Sequence, residues 1–578
     1  MFQKSFFVLT FAMILSFSQN LSAQAIPLQE IPPPTLPNKT LESADAQWFI
    51  AQVNHDLKTL YAQSANADWQ YMTDIRPEHE KQSSIATEKY MAYLAGVIPL
   101  VPKFDGVVID PYTRRQLDIL RRSTTLPAPQ DVAQRSKLAE IATAMQGHYG
   151  SAKACHTIDG KSVCKDLTAL EADMRKVDQE PVIRQAWIDW HDTAKSIKDQ
   201  YETFVSLANI GAQRISYENL GVLWKSQYDM PAQDFEAMTL KMWDQVKPLY
   251  EALHCHVRSK LKQKYPDLIA QDGLMPAHLF GNMWAQDWGA LYDWLAPYPD
   301  QPSIDVDRAL VEKKLSPLAM VKIAENAFTS LGLAPLPKTF WERSLFLKPE
   351  GKDVVCHASA WDVNLNGDLR IKMCIKVDHE DLITLHHELG HNYYNYQYYM
   401  LPVLLQEGAN DGFHEGIGDT LALSVTPAYL HKIGILDTAV ENEKAILNQQ
   451  MKMGLEKISF LPFGLLVDQW RWQVFGGQAK KENYNQSWWQ LRAKYQGLKP
   501  PVERGADAFD AGAKYHVPGN TPYMRYFLAH ILQFQFHQAL CKIKGHTGPL
   551  YTCSIFGSKE AGDQLQKMLA LGALKPWR

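Results

Sequence analysis

Apolar residues recur at three- and four-residue spacing, with charges between them, through segments 43–64, 165–210, 233–264, 308–332 and 437–458. That is the period of an amphipathic helix. Strand-like alternation is scarce. Its clearest candidates run from Asp353 to Ala358 and from Leu369 to Val377, separated by the turn-forming residues Asn364 to Gly367. No internal repeat, low-complexity block or Gly/Ser linker follows residue 40. A single, mainly α unit over residues 41–578 is therefore expected, and a chain of 578 residues that is 46% hydrophobic can bury a large core.

The first 25 residues read as a secretory signal peptide: Lys4, an apolar run from Phe6 to Phe17, then Ala23-Gln24-Ala25 as a small-x-small cleavage site. The run is shorter than a membrane span and is followed by Ser18, Gln19 and Asn20. Residues 26–40 form a Pro-rich lead expected to be extended. The expected product is soluble, without a membrane anchor, in the periplasm or outside the cell. A formal net charge of -4 with no basic block gives no reason to expect nucleic acid or an anionic membrane as partner. Six of seven cysteines sit in short-range pairs, Cys155 with Cys164, Cys356 with Cys374 and Cys541 with Cys553, which suits an oxidising compartment; spacing leaves their connectivity open.

The chemistry concentrates in LHHELGHNYY, residues 385–394. Leu382, Leu385, Leu389, Tyr393 and Tyr396 fall three or four apart and form one buried helical stripe. His387 and His391 lie on the adjacent face, four apart, so two imidazole nitrogens can reach one ion, and Glu388 between them can deprotonate a water. This suits zinc. A third ligand has to come from elsewhere, because Tyr394 and Gln397 stand where the metzincin pattern needs Gly and His. Downstream, EGANDGFHEGIGDTLAL (407–423) offers Glu415 as ligand and Asp419, four residues on, as the carboxylate that orients a ligand histidine.

With these residues the chain resembles the angiotensin-converting enzyme family of zinc dipeptidyl carboxypeptidases. The similarity rests on VVCHASAWD (354–362), LHHELGH (385–391), EGANDGFHEGIGD (407–419), FLPFGLLVDQWRW (460–472), KYHVPGNTPYMRYF (514–527) and FQFHQALC (534–541), in that order over nearly the whole mature chain.

The resemblance implies His387, His391 and Glu415 as zinc ligands, Glu388 as general base and then acid, and Asp419 as the partner of His391. It implies His516 and Tyr526 as oxyanion donors, and Lys514, Tyr523 and Gln286 as the groups that hold a substrate's C-terminal carboxylate. Gln286 favours dipeptide release, since relatives that remove one residue have arginine there. His357 and the backbone of Ala358 and Ala360 would hold the substrate main chain, and Phe460 and Phe463 would line its pockets. The three cysteine pairs match the family's disulfides, and Cys255, outside that set, is expected to be a buried thiol.

Three positions depart from the family pattern. His530 stands where phenylalanine is frequent, Asp411 replaces a proline, and His191 stands where a second chloride site usually has arginine beside Trp488 and Arg492. One chloride, at Tyr228 and Arg525, is therefore expected. The implied fold is a two-lobed ellipsoidal helical body with very little β, a deep central channel and an N-terminal helical lid, acting on oligopeptides with a free C-terminus; the sequence leaves the oligomeric state open, with a monomer favoured. The alternatives are a single-residue carboxypeptidase of the same family and a non-catalytic secreted peptide-binding protein.

Overall fold

The computed structural model describes residue 28 and residues 30–301, 305–438 and 442–577. The expected signal peptide lies outside the described residues. Of the described residues 63% are helical and 4% are in strands, so the chain is mainly α. Residues 30–37 of the Pro-rich lead carry no helix or strand.

Caps and prolines set the helix ends. Helix α1 (Ser43–Thr73) begins at a capping box between Glu42 and Asp45, and α2 (Pro77–Val97) begins with proline at its first position, where no N–H is needed. Helix α3 (Ala232–Lys264) runs the full length its periodicity predicts. Segment 165–210 is instead divided into Leu167–Met174, Glu180–Thr193 and Lys198–Arg214, the second starting afresh with Pro181 in its first turn. Segment 308–332 breaks into Val306–Glu312 and Pro317–Ser330 at Lys314, whose φ is 54°. Proline cannot donate to a preceding turn, so a sustained period does not guarantee one continuous helix.

The hairpin of β1 (Ala154–Ile158) and β2 (Lys161–Lys165) places Cys155 opposite Cys164, and the two are bonded. Strands β3 (Ser359–Asp362) and β4 (Leu369–Lys372) pair antiparallel, Ser359 opposite Lys372 and Asp362 opposite Leu369. Gly367 turns the chain at φ 90°, and its N–H donates to Asp362. The first strand lies further along the chain than the alternation from Asp353 suggests. Residues 353–355 are tied to the end of α1 instead, by Ile75 N–H to Asp353 O and Val355 N–H to Met72 O, each at 2.9 Å. Cys356–Cys374 closes this region and Cys541–Cys553 the C-terminal one. Cys255 is free but exposed, not buried as expected. It sits on α3 between the inward positions Leu253 and Val257, two residues from each and so on the opposite face.

Two further helix pairs position the chemistry: α4 (His379–Tyr398) with α5 (Asp411–Leu423), and α6 (Ser459–Phe475) with α7 (Met524–Ile543). The apolar residues form two buried clusters. One gathers α1, α2, α3, α6 and the start of α7, and the other gathers residues 306–340, α4, α5 and the end of α7. A cavity of about 630 Å³ lies where both contribute, with Leu57 and Tyr61 of α1 and Tyr90 of α2 on one side and α4 and α5 on the other. Among the described residues no helix is long and apolar enough to cross a membrane.

Candidate active site

Helix α4 buries Leu382, Leu385, Leu389 and Tyr393 completely, which turns His387 and His391 toward the cavity. Helix α5 crosses it at glycine. A Cβ on Gly390 would stand 2.5 Å from Gly418 Cα, and one on Gly418 would stand 2.6 Å from His387 O, so only glycine permits this approach. The approach delivers Glu415 to the histidines: its Oε2 lies 3.1 Å from His387 Nε2 and 3.5 Å from His391 Nε2, and the two Nε2 atoms are 3.1 Å apart. One ligand atom from each residue lies within 4.8 Å of the others.

The outer nitrogens fix the tautomers. His387 Nδ1 meets Asp419 Oδ1 at 3.2 Å, and His391 Nδ1 meets His414 Nδ1 at 3.0 Å. This corrects the expectation that Asp419 serves His391. The two helices cross antiparallel, so the later residue of α5 faces the earlier histidine of α4. His414, which the sequence reading passed over, takes the other. With Nε2 of His391 free toward Glu415, its Nδ1–H donates to His414, whose Nε2–H donates to Tyr398 at 2.8 Å, whose hydroxyl donates to Asn395 at 2.7 Å. His414 also stacks on Tyr394, ring centres 4.4 Å apart.

Burial alone would lower His387, but Asp419 and Glu415 outweigh it and raise the imidazole well above its ordinary value. Glu415, despite burial, is held well below the carboxylate range by His391 and His387. The group therefore calls for positive charge between two neutral-capable imidazoles and an ionised carboxylate. Two nitrogens and one oxygen with an open side toward a cavity form a donor set suited to a catalytic zinc ion. Burial raises the Glu388 carboxyl against the pull of both histidines, which favours a group that takes and returns a proton.

His516 Nε2 lies 3.0 Å from the Tyr526 hydroxyl on the same cavity wall. Burial, with Lys514 beside it, keeps the imidazole neutral, and burial with Glu415 nearby holds Tyr526 protonated. Strand β3 pairs only with β4 among the described residues, so Ala360 presents its other edge to the cavity, with Ala358 and His357 just before the strand on the same wall. The cation beneath this edge is Lys372, a second residue the sequence reading missed. Its Nζ donates to Val355 O at 2.5 Å and His357 O at 2.6 Å, and burial lowers its pKa to about 7.

Gln286, Lys514, Tyr523, Phe460 and Phe463 are not on that wall; they form an adjoining cluster reached through Tyr523, whose ring is 4.7 Å from His516 and 4.8 Å from Tyr526. Tyr523 donates to Gln286 Oε1 at 3.2 Å, and Lys514 Nζ lies 4.1 Å from the centre of the Trp284 ring. Asp468 fixes the segment by accepting from Tyr523 N and Met524 N, each at 2.7 Å, while paired to Arg471. Phe460 stacks on His530 at 4.1 Å, whereas Phe463 is fully buried and packs edge-on against Tyr523.

Tyr228 and Arg525 are brought together with Asp411. Its Oδ2 lies 3.0 Å from Arg525 Nε, and the buried Tyr228 hydroxyl adjoins the same carboxylate. Burial raises the Asp411 carboxyl and Arg525 pulls it back, while the guanidinium stays protonated at any pH of interest; it is the 3.0 Å approach that makes the contact an ion pair.

The profile of the angiotensin-converting enzyme family matches residues 40–578. The chain is 42% identical to the angiotensin-converting enzyme of Bos taurus over 548 residues, which is 92% of this chain and 41% of that protein. It is 39% identical to that of Theromyzon tessulatum over 92% of this chain and 87% of the relative, and 35% identical to that of Haematobia irritans exigua over 93% and 89%. The chain thus spans about two fifths of the mammalian relatives and nearly nine tenths of the other two.

Proposed function

The chain belongs to the angiotensin-converting enzyme family, and from that membership we propose that it is a zinc-dependent dipeptidyl carboxypeptidase, taking oligopeptides with a free C-terminus and releasing their last two residues. The observation that carries this reading is the convergence of His387, His391 and Glu415 on a cavity wall that also presents Glu388, His516 and Tyr526.

Zinc held by His387, His391 and Glu415 would supply Lewis acidity and a nucleophilic water near neutral pH. Asp419 and His414 keep the two imidazoles in the tautomer that leaves Nε2 free. Glu388 takes the proton of the attacking water and gives it to the leaving amine. Tyr526, backed by His516, donates to the developing oxyanion. The open edge of β3 at Ala360, with Ala358 and His357 just before it, takes the extended substrate backbone as an added strand would. Lys514, Tyr523 and Gln286 hold the terminal carboxylate, and Phe460, Phe463 and His530 shape the neighbouring pockets. Glutamine at 286 leaves room for two residues beyond the scissile bond. Residues 41–578 act as one catalytic domain, and residues 1–25 direct export; three disulfides suit the oxidising compartment that export reaches.

Mass spectrometry of a blocked tripeptide and a longer peptide, incubated with the protein with and without chelator, tests this reading. Release of intact C-terminal dipeptides that stops on chelation and returns with zinc supports it. Single residues as products would place the protein with the one-residue carboxypeptidases, and no cleavage would favour a peptide-binding role.

A further inference from the structure

The residues at Tyr228 and Arg525 do not fit the chloride ion that the family resemblance implies. Asp411 Oδ2 already lies 3.0 Å from Arg525 Nε. Both carboxylate oxygens of Asp411, the Tyr228 hydroxyl and Arg525 Nε are buried, and none of them has a hydrogen-bond partner among the described residues, so the Asp411–Arg525 contact is one of charge rather than of hydrogen-bond geometry. A chloride at Arg525 would therefore stand against a like charge in a half-buried setting that water screens only in part. We infer that the Asp411 carboxylate is itself the anion of this site, a covalently attached counter-ion to Arg525, so that turnover does not depend on chloride.

The placement supports this role. Asp411 is the first residue of α5, next to the cap Asn410, where the helix favours negative charge. Gly412 packs on the opening turn of α7, within 3.4 Å of Arg525 O and 3.0 Å of Leu528 Cβ when a Cβ is built on it, so the start of α5 is held against Arg525. Glu415 follows Asp411 by one turn on α5, and Tyr526 follows Arg525 on α7. The neighbouring Glu407 and Glu415 add further negative charge, which disfavours a free anion still more. The ion pair thus sits between a proposed zinc ligand and a proposed oxyanion donor and holds their helices in register. A diffusible ion fills such a site only in proportion to its concentration, whereas an attached carboxylate is always present.

The inference rests on the peptidase reading for its turnover arm alone; ion binding is read separately. Crystals of the wild-type protein and of Asp411→Ala are soaked in bromide and examined by anomalous scattering, and kcat/KM is measured against chloride at constant ionic strength with acetate as the replacement. The wild type should show no bromide beside Arg525 and vary by less than about twofold in kcat/KM, while Asp411→Ala should bind bromide there and gain chloride activation of roughly 5- to 100-fold. Asp411→Asn, nearly isosteric, repeats the comparison if the alanine variant does not fold. Bromide beside Arg525 in the wild type, or strong chloride activation of the wild type, would overturn the inference.

Discussion

Gly390 and Gly418 lie backbone to backbone: a Cβ on Gly390 would stand 2.5 Å from Gly418 Cα. This contact lets α5 bring Glu415 to His387 and His391, and it has no flexible side chain that could yield. Gly390→Ala should therefore separate the helices, costing about 1–3 kcal/mol of stability and weakening zinc binding. Thermal unfolding with and without zinc checks both, and an unchanged zinc affinity would show that the close crossing is not needed for the site.

Glu388 lies beside the proposed ligands without being one, so Glu388→Gln should keep zinc at one equivalent while lowering kcat by about 10²- to 10⁴-fold. Metal analysis of the purified variant alongside steady-state kinetics separates the roles. A variant with full activity would remove Glu388 from the mechanism.

The two ligand histidines differ in what holds them, an anionic Asp419 for His387 and the neutral His414 to Tyr398 relay for His391. Asp419→Ala and His414→Ala should each lower zinc affinity, by about 10- to 100-fold. Tyr398→Phe, which removes only the far end of the relay, should have a smaller effect. Competition with a chromogenic chelator gives the three affinities directly.

Lys514 carries the proposed carboxylate contact, and burial lowers its pKa to about 7, with Glu171 opposing. The cation is present below that value and lost above it. KM for a peptide with a free C-terminus should accordingly rise as pH increases through about 7, and Lys514→Arg, charged throughout, should flatten the rise. A C-terminally amidated peptide should show no such trend in either protein.

Much of this was legible locally. The three- and four-residue periodicity gave the helices, and HELGH placed His387 and His391 on one face because their spacing matches a helical turn, a relation that needs no neighbour. The cysteine pairs of the three disulfides were visible as short separations. Less local readings went astray where packing intervened. Segment 165–210 broke into three helices, β3 moved along the chain when Val355 bonded to α1, and Cys255 proved exposed because its helix face points outward.

What sequence spacing left undecided was the relation between elements distant in the chain. That Glu415 and Asp419 share a helical face was readable; that Asp419 serves His387 and His414 serves His391 depended on the antiparallel crossing at Gly390 and Gly418. Lys372 beneath His357 and Asp411 against Arg525 are likewise contacts between segments that no local period relates. A helix fixes the direction of its own side chains through backbone geometry alone, but which residue meets them across an interface is set by burial and close packing of the whole core, and only the folded chain decides it.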